Sequence, residues 1–203
     1  MTARWVVDEV QPHRDLRITW QPISLLFKNE PVEDPARRAR YAFTHGLLRV
    51  LESVRAASGE TSPDVQALYL EYGRRIHHDK ALDWDVAEAL DAAGLDRSHA
   101  DAFDDDSWDT DIRRRMDVGL ALCGDDIGTP IIAMDDREGN RAGYFGPVIT
   151  QVPDTAASLD LWDALQKMIS VPGFWELKRT RTEGPQPGDP PAQRTDTRTG
   201  TAS

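Results

Sequence analysis

Apolar residues recur three and four positions apart over most of the chain and alternate in only a few short stretches. The first ten residues space Trp5, Val6 and Val10 as in a helix, and Pro12 limits how far that helix can continue. Leu16–Gln21, with Ile18, Thr19 and Trp20, alternates loosely and is rich in β-branched and aromatic side chains, which predicts a strand. From Asp34 to Gly124 the helical period returns. Asp34 with Pro35 pairs a capping residue with the proline favoured at a first helical position, and Tyr41, Leu47, Leu48, Leu51 and Val54 line one face behind it. Ser62 with Pro63 repeats the device ahead of Val65, Leu68, Tyr69, Tyr72 and Ile76. A third helix is predicted over Trp84–Ala93 with Gly94 as its stop, and a short one near Ser98. A longer one carries Trp108, Ile112, Met116, Leu120 and Cys123.

Beyond this block the period shortens. Pro130–Met134 and Arg141–Phe145 read as strands around a polar turn, Asp135–Asn140, that contains Gly139, so a hairpin is predicted. Proline cannot donate to a sheet ladder, which places Pro130 at the start of its strand and makes the Thr129–Pro130 bond a candidate for the cis form. Thr155–Ser170 turns Leu159, Trp162, Leu165 and Ile169 to one side as an amphipathic helix. Glu183–Ser203 is Pro, Gly, Thr and charge with almost nothing apolar, and a disordered tail is expected there. The order helix, strand, helical block, strand, strand, helix implies an α/β fold, with residues 1–33 and 124–182 forming one domain and residues 34–123 inserted as a helical domain.

Composition narrows the function. With 203 residues the chain suits one domain carrying an insertion, and 35 acidic against 24 basic side chains leave a net charge of −11. Such a surface repels phosphate backbones and anionic lipid, so neither nucleic acid nor membrane is an expected partner. There is no apolar run long enough to span a bilayer and no secretory leader pattern, and a cytoplasmic protein is expected. The single cysteine, Cys123, excludes an internal disulfide and a cysteine-based metal site. It reads either as a redox nucleophile or as a small apolar residue on the helix face of Met116 and Leu120. Asp101, Asp104, Asp105, Asp106, Asp109 and Asp111 crowd one stretch without the ligand spacing or central glycine of a calcium loop, so no metal is expected.

Several separated segments carry a resemblance. Thr2-Ala-Arg-Trp5, Ile23-Ser-Leu-Leu-Phe-Lys-Asn-Glu30, Arg75-Ile-His77, Gly124-Asp-Asp-Ile-Gly-Thr-Pro130, Phe145-Gly-Pro147 and Phe174-Trp-Glu-Leu-Lys-Arg-Thr-Arg-Thr182 together resemble the mycothiol-dependent nitroreductases. That resemblance implies a thioredoxin-like fold of the DsbA type. In it a strand leads into a Cys-x-x-Cys at the start of the first helix, a helical domain follows the second strand, and a cis-proline loop precedes the third. Gly128-Thr129-Pro130 looks like that loop, whose backbone can pair with a thiol ligand as with a short strand.

The family implies thiol chemistry at a Cys-Pro-Trp-Cys. Its first cysteine, a thiolate favoured at a helix N-terminus, attacks disulfides or takes up mycothiol, and its second resolves the mixed disulfide. The reduced pair then passes electrons to a nitro-aromatic or disulfide acceptor. This sequence lacks the motif, whose place falls just before Thr2–Trp5. Losing the interior strand that precedes it would leave two rows of backbone groups unpaired. A misplaced start within a longer reading frame is therefore expected rather than a true truncation, and the chain as given is expected to be inactive. The resemblance implies a low-molecular-weight thiol (mycothiol as co-substrate, no bound cofactor) and a small-molecule acceptor as partners, and is compatible with a homodimer. The site residues it implies are Asn29, His77, Thr129 and Pro130. Asn29 also reads as a loop residue bonding its own backbone before Pro31, and His77 as a histidine favoured by a helix C-terminus. The alternatives are a non-catalytic thiol-binding protein and a glutathione-type isomerase of the same fold.

Overall fold

The computed structural model describes residues 1–189. The chain opens with α1 (Thr2–Arg4), which widens into a π-helical stretch, Trp5–Val10, and tightens into a 3₁₀ turn, Gln11–His13, where Pro12 contributes no N–H. Residues 14–24 then run without a ladder. The strand predicted over Leu16–Gln21 is not formed, because no other strand lies alongside it among the described residues. Its side chains pack instead: Leu16 joins the cluster around Trp5, while Trp20 stacks on Tyr69 at 4.8 Å and faces Gln66.

Caps set the helices. Ser24 caps α2 (Leu25–Lys28), Asp34 caps α3 (Pro35–Ser58), Ser62 caps α4 (Pro63–His77) and Asp85 caps α5 (Val86–Ala92), each accepting a backbone N–H two or three residues on. The third predicted helix thus starts at Val86, since Asp85 rather than Trp84 holds the cap. 3₁₀ turns at Arg97–Asp104 and Asp106–Trp108 lead into α6 (Asp109–Cys123), closed by Gly124 at φ 91°. Strands β1 (Ile131–Asp135) and β2 (Arg141–Phe145) form an antiparallel hairpin with Ile131 opposite Phe145 and Asp135 opposite Arg141. The last helix, α7 (Thr155–Met168), begins at the Asp154 cap. Residues 183–189 are irregular but tethered, with Gln186 N–H donating to Thr150 O at 2.6 Å. Residues 190–203, most of the expected tail, lie outside the described residues.

The hairpin has helices on both faces. Side chains of β strands alternate, so Ile132 and Met134 turn toward Trp5, Val10 and Trp162, whose rings meet at 5.9 Å, while Ile131 and Ala133 turn toward α6. Gly143 permits the second contact, because a Cβ there would stand 3.1 Å from Cys123 Sγ and 3.3 Å from Leu122 Cβ. A larger core gathers α3, α4, α5 and the 3₁₀ turn around Leu47, Val50, Leu68, Tyr72 and Leu90. The molecule is thus helix-rich, with a single small sheet among the described residues.

A buried polar chain joins the two parts. Ser24 Oγ is fully buried and accepts the N–H of Phe27, so its own proton can reach only His45 Nδ1, 2.9 Å away. That leaves Nε2–H of His45 to donate to Asp109 Oδ1 at 2.9 Å, while Arg49 donates twice to the same carboxylate, at 2.7 and 2.9 Å. Burial lowers the pKa of His45, outweighing the nearby Asp109, with Arg49 and Arg113 adding repulsion. Burial opposes ionisation of Asp109, but the hydrogen bonds from Arg49 and His45 leave its pKa lowered. One turn further along α3, Glu52 and Arg55 form a second buried pair that Arg115 of α6 joins at 2.9 Å.

Two outcomes follow from this packing. A Cβ at Gly46 would lie 2.5 Å from the Phe103 ring, which Phe43 confines at 5.6 Å. Gly46→Ala gains at most about 1 kcal/mol of helix propensity and loses about 1–3 kcal/mol to overpacking. Urea denaturation should therefore show a less stable protein, and an increase in stability would refute this account of Gly46. For His45 the folded pKa lies below the ordinary value of 6.5. The unfolded chain binds the proton first, so stability is complete above that value and declines as pH falls through it. Between pH 7.5 and 5.5 the denaturation midpoint should fall more steeply in the wild type than in His45→Gln.

Candidate functional site

The loop between α6 and β1 meets the loop after β2. Gly146 N–H donates to Pro130 O at 2.8 Å, and the peptide bonds Thr129–Pro130 and Gly146–Pro147 are both cis. Thr129 is exposed, and neither its backbone groups nor its hydroxyl has a partner among the described residues. Two tethers hold this loop pair. Thr2 Oγ1 donates to Pro147 O at 2.7 Å, from a residue that is only 6% exposed, and Lys28 Nζ donates to Asp125 O at 2.6 Å. Thus α2 reaches the loop that carries Thr129, and the N-terminal helix reaches the loop after β2 that is bonded to it.

Asn29 ends α2 and is exposed; its Nδ2 donates to Leu25 O at 2.7 Å, so the side chain satisfies its own helix just before the cis bond Glu30–Pro31. His77 is the last residue of α4, at the mouth of a cavity of about 190 Å³ between the N-terminal helix and the faces of α3 and α4. Among the described residues no two of Asn29, His77, Thr129 and Pro130 share a hydrogen bond or ion pair. The connection between them is indirect. Thr2 anchors the proline loops, and its neighbours Met1 and Ala3 line the cavity that His77 also lines.

The cavity is apolar over most of its wall, where Leu47, Leu48 and Leu51 of α3 face Tyr69, Leu70, Tyr72 and Ile76 of α4. Tyr72 is 3% exposed, its hydroxyl has no hydrogen-bond partner among the described residues, and burial raises its pKa. The surroundings of His77 lower its pKa, chiefly by desolvation, then by the Met1 ammonium and His78. Desolvation and Arg4 in turn lower the pKa of that ammonium. The mouth is thus a place where cations repel one another.

Cys123 stands apart, half-buried at the end of α6 against Gly143, and burial pushes its thiol pKa up, away from the thiolate a nucleophile needs. Among the described residues no three His, Cys, Asp or Glu side chains gather closely enough to hold a metal. No helix there is long and apolar enough to cross a membrane. Ser24 and His45 were not singled out from sequence, and Asp109 only as part of the acidic stretch; the three lie in line like a hydrolytic triad. With Ser24 at 0% exposure the hydroxyl cannot meet a substrate, so the chain is a structural clamp. Tyr72 and His78, which line the cavity, were likewise not singled out as candidates. Helical spacing assigns Tyr72 to the core, and nothing in that spacing reveals a hydroxyl left without a partner.

The segments that build these features are contiguous with a family match. The Rv2466c-like model, described as mycothiol-dependent nitroreductase Rv2466c, matches residues 1–179, which include α4 with His77, the Thr129–Pro130 loop, the hairpin and α7. With most of its length covered, the chain belongs to the Rv2466c-like family of mycothiol-dependent nitroreductases.

Proposed function

We propose that this chain binds a low-molecular-weight thiol, mycothiol, against the Thr129–Pro130 loop in the manner of a DsbA-type thioredoxin-like fold. The observation that carries this reading is the exposed Thr129 backbone, whose N–H and C=O have no partner among the described residues and which stands beside a cis-proline. An extended ligand with an amide can pair with such a residue as one strand pairs with another. His77 at the cavity mouth and Asn29 at the end of α2 are the side chains proposed to orient it. The cognate chemistry is thiol–disulfide exchange or nitro-aromatic reduction in a cytoplasmic setting, with a homodimer as the proposed assembly. A dithiol step needs two cysteines, and this sequence contains one. The chain as given is therefore proposed to bind without turnover.

Calorimetry with mycothiol tests the binding. Saturable one-to-one binding is expected, and Thr129→Pro, which removes the N–H, should weaken it roughly 2- to 10-fold, the worth of about 0.5–1.5 kcal/mol for one hydrogen bond. Thr129→Ala, which keeps the backbone donor, should bind as the wild type does. Absence of any mycothiol binding would overturn the reading. In a dithiol-driven nitroreduction assay, turnover should not exceed that of Cys123→Ser; turnover that this substitution abolishes would refute the claim that the chain binds without reacting.

A further inference from the structure

The cavity beside His77 differs from the rest of the molecule in charge. The chain carries 35 acidic and 24 basic side chains, yet the described residues lining the cavity include Arg4, Arg74, His77 and His78 and no carboxylate. Two of these cations are already answered: Arg4 pairs with Asp8, and Arg74 pairs with Glu71 and Asp79. Neither His77 nor His78 has a hydrogen-bonded or ion-paired side chain among the described residues. The mouth therefore offers two donors to an anion, in a surface that elsewhere favours cations.

The interior adds two further observations. The Tyr72 ring lines the cavity wall, and its buried hydroxyl has no hydrogen-bond partner among the described residues. Gly73, which also lines the cavity, interrupts α4 at a point where a Cβ would meet nothing within 4 Å, and its φ does not require glycine. A mid-helix glycine is destabilising relative to alanine. Here no close contact demands it, and its effect is to leave the space open. A cavity of about 190 Å³ exceeds the roughly 150 Å³ apolar cavity that holds benzene. It can take a single aromatic ring with a short side arm.

We propose that this cavity is a binding site for a small aromatic monocarboxylate, its ring against Leu47, Leu51 and Tyr72 and its carboxylate at His77 and His78. The proposal shares His77 with the thiol-binding reading but does not require the Thr129 loop. A bound carboxylate favours the protonated form of His77 over its present environment, in which desolvation, the Met1 ammonium and His78 hold the pKa down. Other titratable and charged groups facing the mouth are Arg4 with Asp8 from the N-terminal helix, and Tyr69, Tyr72 and Arg74 with its partners Glu71 and Asp79 from α4 and the turn after it. The groups there that take up a proton on acidification include the Met1 amino group, its pKa lowered from 8.0, and His77, lowered from 6.5. Affinity for the acid should therefore rise as pH falls from 8 toward 6.

The test is calorimetry of the full chain with 3-phenylpropionate and with its neutral amide, at pH 6.0 and 8.0. One-to-one binding is expected, about tenfold tighter for the acid than for the amide at pH 6.0, with the preference shrinking at pH 8.0. The double substitution His77→Gln, His78→Gln should weaken binding of the acid at pH 6.0 and shrink the pH dependence to what the Met1 ammonium contributes. Gly73→Leu, whose Cβ meets nothing within 4 Å and whose longer side chain enters the space while favouring the helix, should abolish binding of both probes. Equal affinity for acid and amide, binding that survives Gly73→Leu, or no saturable binding at millimolar probe would each overturn the proposal. Thr129→Pro separates it from the thiol-binding reading: mycothiol binding should weaken while phenylpropionate binding stays as in the wild type, and a parallel loss of phenylpropionate binding would count against a separate site.

Discussion

Asp109 is where the parts of the molecule are tied together. Its carboxylate accepts from His45 and twice from Arg49 on α3, and through His45 it reaches Ser24, which caps α2. Each side chain along that line is hydrogen-bonded to the next, which favours a buried polar network that rigidifies a fold rather than weakening it. Because Asp109 is also the first residue of α6, the same contacts fix where α6 begins. Its far end then sets Cys123 and Leu122 against the hairpin. The position of the sheet follows from a carboxylate at the opposite end of a helix.

The hairpin and its loops inherit their place from this arrangement. With α6 on one face and the Trp5–Trp162 cluster on the other, β1 and β2 have little freedom to shift register, since a slip of one residue would exchange the two buried faces. The two proline loops, side by side at the open end of the hairpin, are then held from outside by Thr2 and Lys28, and Thr129 is left exposed beside them.

Membership of a mycothiol-dependent nitroreductase family and the presence of a single cysteine bear on each other. The thiol that remains, Cys123, packs against Gly143, and burial disfavours its thiolate. Two features flank Thr2: a loop backbone at Thr129 without a partner among the described residues, and an apolar cavity with Arg4, Arg74, His77 and His78 in its lining. Both lie where the N-terminal helix meets the rest of the molecule, so one short element positions both.

Much of the fold could be read along the chain because the signals are local. The caps at Asp34 and Ser62, the face Leu47–Leu51–Val54, the turn containing Gly139 and the proline before β1 each act within a few residues, and each element forms where those signals lie. Segment Leu16–Gln21 has the composition of a strand and does not form one, because a strand also requires a neighbour and its backbone has none among the described residues. The candidate site divides in the same way. Pro130 was legible as a strand entry after a candidate cis bond, and that bond is cis, whereas the polar chain from Ser24 to Asp109 and the Tyr72 hydroxyl without a partner among the described residues were not legible. The sequence by itself determined the helices, the hairpin, the acidic surface and the absence of a second thiol, all properties of residues or of short windows. Only the tertiary structure decided which polar groups are buried, which of them find partners and where cations converge, because desolvation and hydrogen bonding depend on atoms far apart in the chain.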